Sequence, residues 1–377
     1  MKKIPVHIIT ASILSLLAVC AVVYLGLVFG SARRAEPVYP GDGVTQVLML
    51  SEWCPALKGT AGDTEVYVLD SGKAGASMLV LGGTHPNEPA GFVSAVMLVE
   101  YCRPACGILY VIPRSNNSGF SCTDPLEASP MTFGIETTGG TRTFRFGSRA
   151  TNPVDQWPDS EVYIHASSGQ ILSGSETRNL NRAYPGRRDG TLTEKVAFAI
   201  TEFIKDNNID ITVDLHEASP EYTTVNAIVA HEDALSLAFL TMWDVEESFR
   251  ISADESPRNL HGLTHRELGD FTDTLALLME TANPSQGRLR GRTDAELVVT
   301  GKDKFYVRAA SYDAVTVPYD ENGISISERC ARHVSCLISM AQMYSFVGGG
   351  REIDLGDMPA YGEIVANGIG HYLHDPV

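Results

Sequence analysis

The chain has no surplus of positive charge. Against 29 Lys and Arg stand 46 Asp and Glu, a formal net charge of −17. That balance argues against a hold on nucleic acid or an electrostatic hold on anionic lipid. Cysteine is scarce, with seven in 377 residues, and no pair shows the close double-Cys spacing of a structural zinc site. No internal repeat stands out. Charged residues make up only 20% of the chain and hydrophobic ones 44%. Such a chain can bury a sizeable core, as one large domain or two smaller ones.

One stretch, Ile8 to Gly30, lacks charge altogether. As a helix it would run about 35 Å, enough to cross a bilayer. A cleaved signal peptide would have a shorter apolar centre, although Gly30-Ser31-Ala32 would serve as a cleavage site. The uncut length favours a membrane anchor with the globular body outside the cytoplasm; secretion after cleavage is the alternative. Lys2 and Lys3 are nearly balanced by Arg33 and Arg34, so charge sets the orientation only weakly. With Cys20 in this segment, six cysteines remain. An even number in an exported domain permits disulfides, but buried free thiols fit equally well.

Strands and helices alternate along the body. Glu65 to Asp70 and Ser77 to Leu81 read as strands, the second ending in Gly82-Gly83. Pro89 suits the first turn of a helix running to about Tyr101. Gly107 to Pro113 reads as a strand, and Thr193 as the cap of a helix with Val196, Ala199, Ile200, Phe203 and Ile204 on one face. Further strands are expected at Ile209 to Leu215, Val225 to Ala230 and Thr274 to Met279, with helices at Ala234 to Phe249 and Ile326 to Phe346. The pattern predicts an α/β fold, a mostly parallel or mixed central sheet flanked by helices. Residues 1–35 would be the anchor or signal segment, 36–311 the main domain, and 312–377 a C-terminal segment packing on it. Between 118 and 174 the sequence has no clear period and reads as an inserted loop region.

Chemistry concentrates in four places. His85 and Glu88, three residues apart on the turn after an apolar strand, can supply two metal ligands. In Asp214-Leu215-His216-Glu217, Asp214 and His216 share a strand face, so the carboxylate can fix the imidazole tautomer, while Glu217 should point away. A plain hydrogen-bonded strand-end histidine is the competing reading. Arg178-Asn179-Leu180-Asn181-Arg182 offers planar forks and directional donors for a substrate carboxylate, or is simply a surface turn. Glu280 follows the apolar run Leu275 to Met279; a carboxylate there either reaches solvent or acts as a proton shuttle. His261 and His265 with Glu267 and Asp270 form a weaker cluster, better suited to structural or substrate-lining roles than to a second metal. Arg142, Arg145, Arg149, Arg288, Arg290 and Arg292 could touch an anionic substrate or face solvent.

In that order, His-x-x-Glu, Asn-Arg, a distant His and a late Glu, residues 60–300 resemble the zinc carboxypeptidase-like hydrolases, and most closely their succinylglutamate desuccinylase and aspartoacylase branch. The resemblance implies one zinc ion on His85, Glu88 and His216, a carboxylate grip by Asn181 and Arg182, and Glu280 as general base. It also implies an arginine that polarises the scissile carbonyl. Arg178 is the nearest candidate, with Arg149 and Arg145 as rivals. The activity implied is amide hydrolysis of a carboxylate-bearing small molecule, foremost an N-acyl amino acid. An exported carboxypeptidase acting on short or cell-wall peptides is the alternative, and a non-catalytic membrane-tethered binding protein a third. The sequence gives neither the acyl group nor the oligomeric state.

Overall fold

The charge-free N-terminal run forms one helix, α1, Val6–Ala32, in a computed structural model that describes residues 5–122 and 130–377. Lys2, Lys3 and residues 123–129 of the expected insertion lie outside the described residues. With a mean hydropathy of 2.6 over 18 residues, α1 is long and apolar enough to cross a membrane, a test that a signal sequence also passes. The chain divides into two compact units, Met1–Glu36 and Pro37–Val377.

In the second unit eight strands form one mixed sheet. Along the chain they begin with β1 (Gln46–Met49), β2 (Glu65–Asp70), β3 (Ser77–Leu81) and β4 (Ile108–Ile112). Two small hairpins follow, β5 (Thr132–Thr137) with β6 (Gly140–Arg145), and β7 (Val162–Ile164) with β8 (Ile171–Ser173). The sheet resumes with β9 (Ile211–Ala218), β10 (Ala227–Ala230), β11 (Ser252–Glu255) and β12 (Leu275–Ala282), in the order β1-β2-β4-β3-β9-β12-β10-β11. The centre, from β4 through β3 and β9 to β12, is parallel. Antiparallel pairing enters on either side, at β1–β2, β2–β4 and β10–β12.

Strict alternation along the central strands builds a core on each face. Met78, Val80, Val213, Leu215, Leu277 and Met279 pack beneath the helices α2 (Pro89–Tyr101), α4 (Leu235–Val245) and α8 (Ile326–Val347). On the other face Leu79 and Leu81 meet Val196, Ile200 and Phe203 of α3 (Leu192–Asn207) and Leu268 of α5 (Thr264–Phe271). The short α6 (Ala295–Thr300), α7 (Lys304–Ala310) and α9 (Tyr361–Asn367) complete the set.

Several boundaries differ from the sequence reading, each for a physical reason. The cap of α3 is Thr191, which forms a reciprocal box with Glu194; Thr193 lies inside the helix and bonds Gln156 instead. The expected loop region contains two hairpins because Phe133, Ile135, Phe144 and Phe146 alternate onto Phe92 and Val96 of α2. β9 and β12 run past their apolar stretches, so His216 and Glu280 sit within strands and not at their ends. Among the described residues no disulfide forms.

Two glycines place the site. Gly83 adopts a φ of +65° where the chain turns from β3 toward His85, a conformation glycine holds without strain. Gly91 brings α2 onto β9 so closely that a Cβ would lie 2.3 Å from the Leu215 carbonyl oxygen. That contact sets Glu88 against His216. We expect Gly91→Ala to cost about 1–3 kcal/mol, the usual range for overpacking. Denaturant unfolding would check this; unchanged stability would contradict this account of the helix–strand contact.

Candidate metal centre and its cavity

Three hydrogen-bond acceptors meet at one buried point. The Nδ1 atoms of His85 and His216 each lie 2.8 Å from the Glu88 carboxylate, one on Oε1 and one on Oε2. Ligand atoms of the three residues all fall within 4.8 Å of one another, and every one of the residues is buried. The two imidazoles stand edge to face at 4.6 Å.

The outer nitrogens explain the arrangement. His85 Nε2 meets Asn179 Oδ1 at 2.9 Å, and His216 Nε2 meets Asp214 Oδ2 at 2.8 Å. Two acceptors on the outer sides favour the Nε2–H tautomers, which leaves both Nδ1 lone pairs aimed inward. A carboxylate flanked at 2.8 Å by two imidazole nitrogens in a dry site is satisfied by a proton on His216 or by a cation held among the three. A His₂Glu donor set with its tautomers fixed from behind fits a single zinc ion.

Each supporting group is itself held. Asp214 accepts from Thr84 Oγ1 at 2.8 Å and Thr264 Oγ1 at 2.6 Å, and Asn179 Oδ1 also accepts the Asn181 N–H. Glu88 Oε2 accepts the Glu217 N–H at 3.0 Å. The Glu217 side chain points away from His216, as the strand period requires, into an ion pair with Arg329.

Titration behaviour follows. Burial pulls both histidines down, and for His85 it prevails. For His216 the carboxylates of Asp214 and Glu88 overcome burial and raise it well above its ordinary value. Glu88 is held low against its burial by His85 and His216. Glu280 goes the other way: burial, with Glu88 adding to it, pushes its carboxyl up to about 8 despite His216. Its Oε2 is shielded and has no hydrogen-bond partner.

These groups open on one cavity of about 580 Å³. Its wall includes all three convergent residues together with Glu280, Asn181, Arg182 and Arg149. Arg149 shapes the field, since its charge lowers His85, Arg182 and Glu280 alike. Arg178 is not in this wall. Its guanidinium forks onto Asp159 at 2.7 and 3.1 Å and donates to the Thr151 carbonyl. Arg142 forks onto Glu100 and is buried. Arg145, Arg288, Arg290 and Arg292 do not line the cavity.

One residue takes a part that the sequence did not assign. Asn179 was visible only as part of a polar run, and no local signal marks it as the partner of His85. His265, expected to be structural or to line the substrate site, does lie in the cavity wall, buried, with both ring nitrogens unpartnered. Burial lowers it to about 3, so it is neutral at ordinary pH. Its neighbour His261 pairs with Glu267 at 2.8 Å.

Without metal, Glu280 keeps its proton up to about pH 8 and His216 is protonated as well. A bound cation favours carboxylate and neutral imidazole, so zinc uptake at pH 7 should release about one to two protons per ion. Calorimetry in buffers of different ionisation enthalpy measures this number. Glu280→Gln should lower it, and zero release by the wild type would contradict these assignments.

No family model matches the sequence, and no curated protein matches it. Among solved structures the chain is similar to a succinylglutamate desuccinylase from a Silicibacter species, with 18% identity over 66% of this chain and 63% of that one and a TM-score of 0.36. It is also similar to an aspartoacylase family protein from Mesorhizobium loti, with 17% identity, coverage of 65% and 62%, and a TM-score of 0.36. A metallo-carboxypeptidase from Burkholderia cenocepacia gives 11% identity, coverage of 83% and 66%, and a TM-score of 0.44. The chain thus spans less than two thirds of the length of each.

Proposed function

We propose that this chain is a zinc-dependent amide hydrolase acting on a carboxylate-bearing substrate, with N-acyl amino acids as the leading class. One observation carries the reading: a buried His-Glu-His cluster able to hold a metal ion shares a cavity wall with Glu280, a carboxylate raised to about 8 whose Oε2 has no partner. A binding protein has no use for such a base, which speaks against a non-catalytic role.

Held by His85, Glu88 and His216, zinc would supply Lewis acidity and make a water more acidic. Glu280 accepts the proton of the attacking water and returns it to the leaving amine, a role suited to a group titrating near neutrality. Arg149 offers its guanidinium to the oxyanion that forms from the scissile carbonyl. It takes this part in place of Arg178, whose donors are already engaged by Asp159 and Thr151. Arg182 and Asn181 hold the substrate carboxylate and keep the scissile bond in place. The Asn181 side-chain oxygen is fixed by Thr264, which leaves its amide group for the substrate.

A short-peptide substrate is the second reading. The cavity is of a size that takes drug-sized ligands, and its wall continues past Glu280 through Leu278 and Val229 to Leu260 and Leu263. That leaves room for more than one residue. A cell-wall peptide would suit an exported body, and α1 is compatible with a membrane anchor for it.

Kinetics of the zinc-loaded protein on acylated amino acids and short peptides separate the two. Glu280→Gln should lower kcat about 10²–10⁴-fold with zinc content unchanged. Arg149→Met should lower kcat about 10²–10³-fold, Arg182→Met should act mainly on KM, and Arg178→Met mainly on stability. Failure of both substrate classes to turn over, or full activity in Glu280→Gln, would overturn the proposal.

A further inference from the structure

Glu217 and Arg329 form an ion pair that the proposed chemistry does not use. Both side chains are fully buried, with Arg329 Nη1 donating to Glu217 Oε1 at 2.6 Å. Glu217 Oε2 accepts the Ala90 N–H at 2.9 Å and Asn283 Nδ2 at 3.1 Å. The Glu217 N–H donates to Glu88. One residue therefore ties together the turn that carries Glu88, the strand that carries His216, and the chain just beyond Glu280.

Arg329 fixes that junction to α8. Its Nε donates to the Ser325 carbonyl at 3.3 Å and its Nη2 to the Val298 carbonyl. One helical turn further on, His333 Nε2 meets Thr281 Oγ1 at 3.3 Å, next to Glu280. Residues four apart share a helix face, so α8 presents two polar contacts to the back of the two strands that bear the site. A hydrophobic pair of the same volume would serve packing as well or better. The N-terminus of α2 and the Arg329 guanidinium together offset the Glu217 charge, which otherwise stands against the neighbouring Glu88 carboxylate.

We infer that Arg329 is a positioning residue: through Glu217 it holds the Glu88 turn and the His216 strand in the geometry that receives the metal. The inference rests on reading His85, Glu88 and His216 as a metal site. The C-terminal segment is then part of the metal centre although it contributes no ligand.

The test measures zinc affinity of the full-length protein by competition with a chelating dye, alongside thermal unfolding. Arg329→Met should weaken zinc binding about 10–100-fold, the range for groups that orient metal ligands, and Arg329→Lys should restore part of it. Leu337→Ala, a cavity in the same helix away from the pair, should lower the melting temperature but leave zinc affinity within about threefold. Should Arg329→Met not fold, the double variant Glu217→Gln/Arg329→Met removes both buried charges, and it should fold yet bind zinc at least about tenfold more weakly. Zinc binding unchanged in the Arg329 variants, or weakened equally by Leu337→Ala, would overturn this inference alone. Absence of zinc binding by the wild type would overturn the metal reading with it.

Discussion

The Glu88 carboxylate, wedged between two imidazole nitrogens in a buried site, is the constraint around which the rest is arranged. Its charge has to be met inside the protein, by a proton on His216 or by a cation shared with both imidazoles. Everything adjacent answers that demand. Asn179 and Asp214 turn the imidazoles inward, and Thr84 and Thr264 hold Asp214 in turn. The Glu217 N–H and the Arg329 guanidinium moderate the negative charge from behind. Glu280, the remaining carboxylate in the wall, then favours its protonated form.

Much of this was legible from local signals. An apolar run, two glycines and a proline at a helix start place β3, the ligand turn and α2 without tertiary information, and all three lie where expected. The ends of β9 and β12 were not legible. Asp214, His216, Glu217 and Glu280 look like terminators because buried polar residues in a strand are costly. Here partners distant in sequence, such as Arg329, Asn283 and Thr264, meet most of that cost, and pairing runs on to Ala218 and Ala282. The hairpins were missed for the opposite reason: their alternation is short and interrupted by Thr and Gly.

The arginines mark the limit of sequence reading. Arg142, Arg149 and Arg178 lie in the same polar region and are chemically identical. Their placement is decided by which carboxylate each meets. Glu100 takes Arg142 and Asp159 takes Arg178, while Arg149 lines the cavity. Proximity to the Asn-Arg pair in sequence favoured Arg178; proximity in space favours Arg149.

The parallel register of β3 and β9, with Leu81 beside Asp214, acquires a meaning beyond hydrogen bonding. Side chains on a strand alternate with period two, so a slip of one residue would put Leu215 or Glu217 where His216 stands and turn Asp214 to the opposite face. The apolar core would tolerate such an error poorly; the meeting of His85, Glu88 and His216 would not survive it at all. His85 and Glu88 come from the turn after one strand and His216 from its neighbour, 128 residues after Glu88 in sequence. A cation held by all three would therefore act as a proofreader of strand alignment, present only on chains whose two central strands have met in the correct phase.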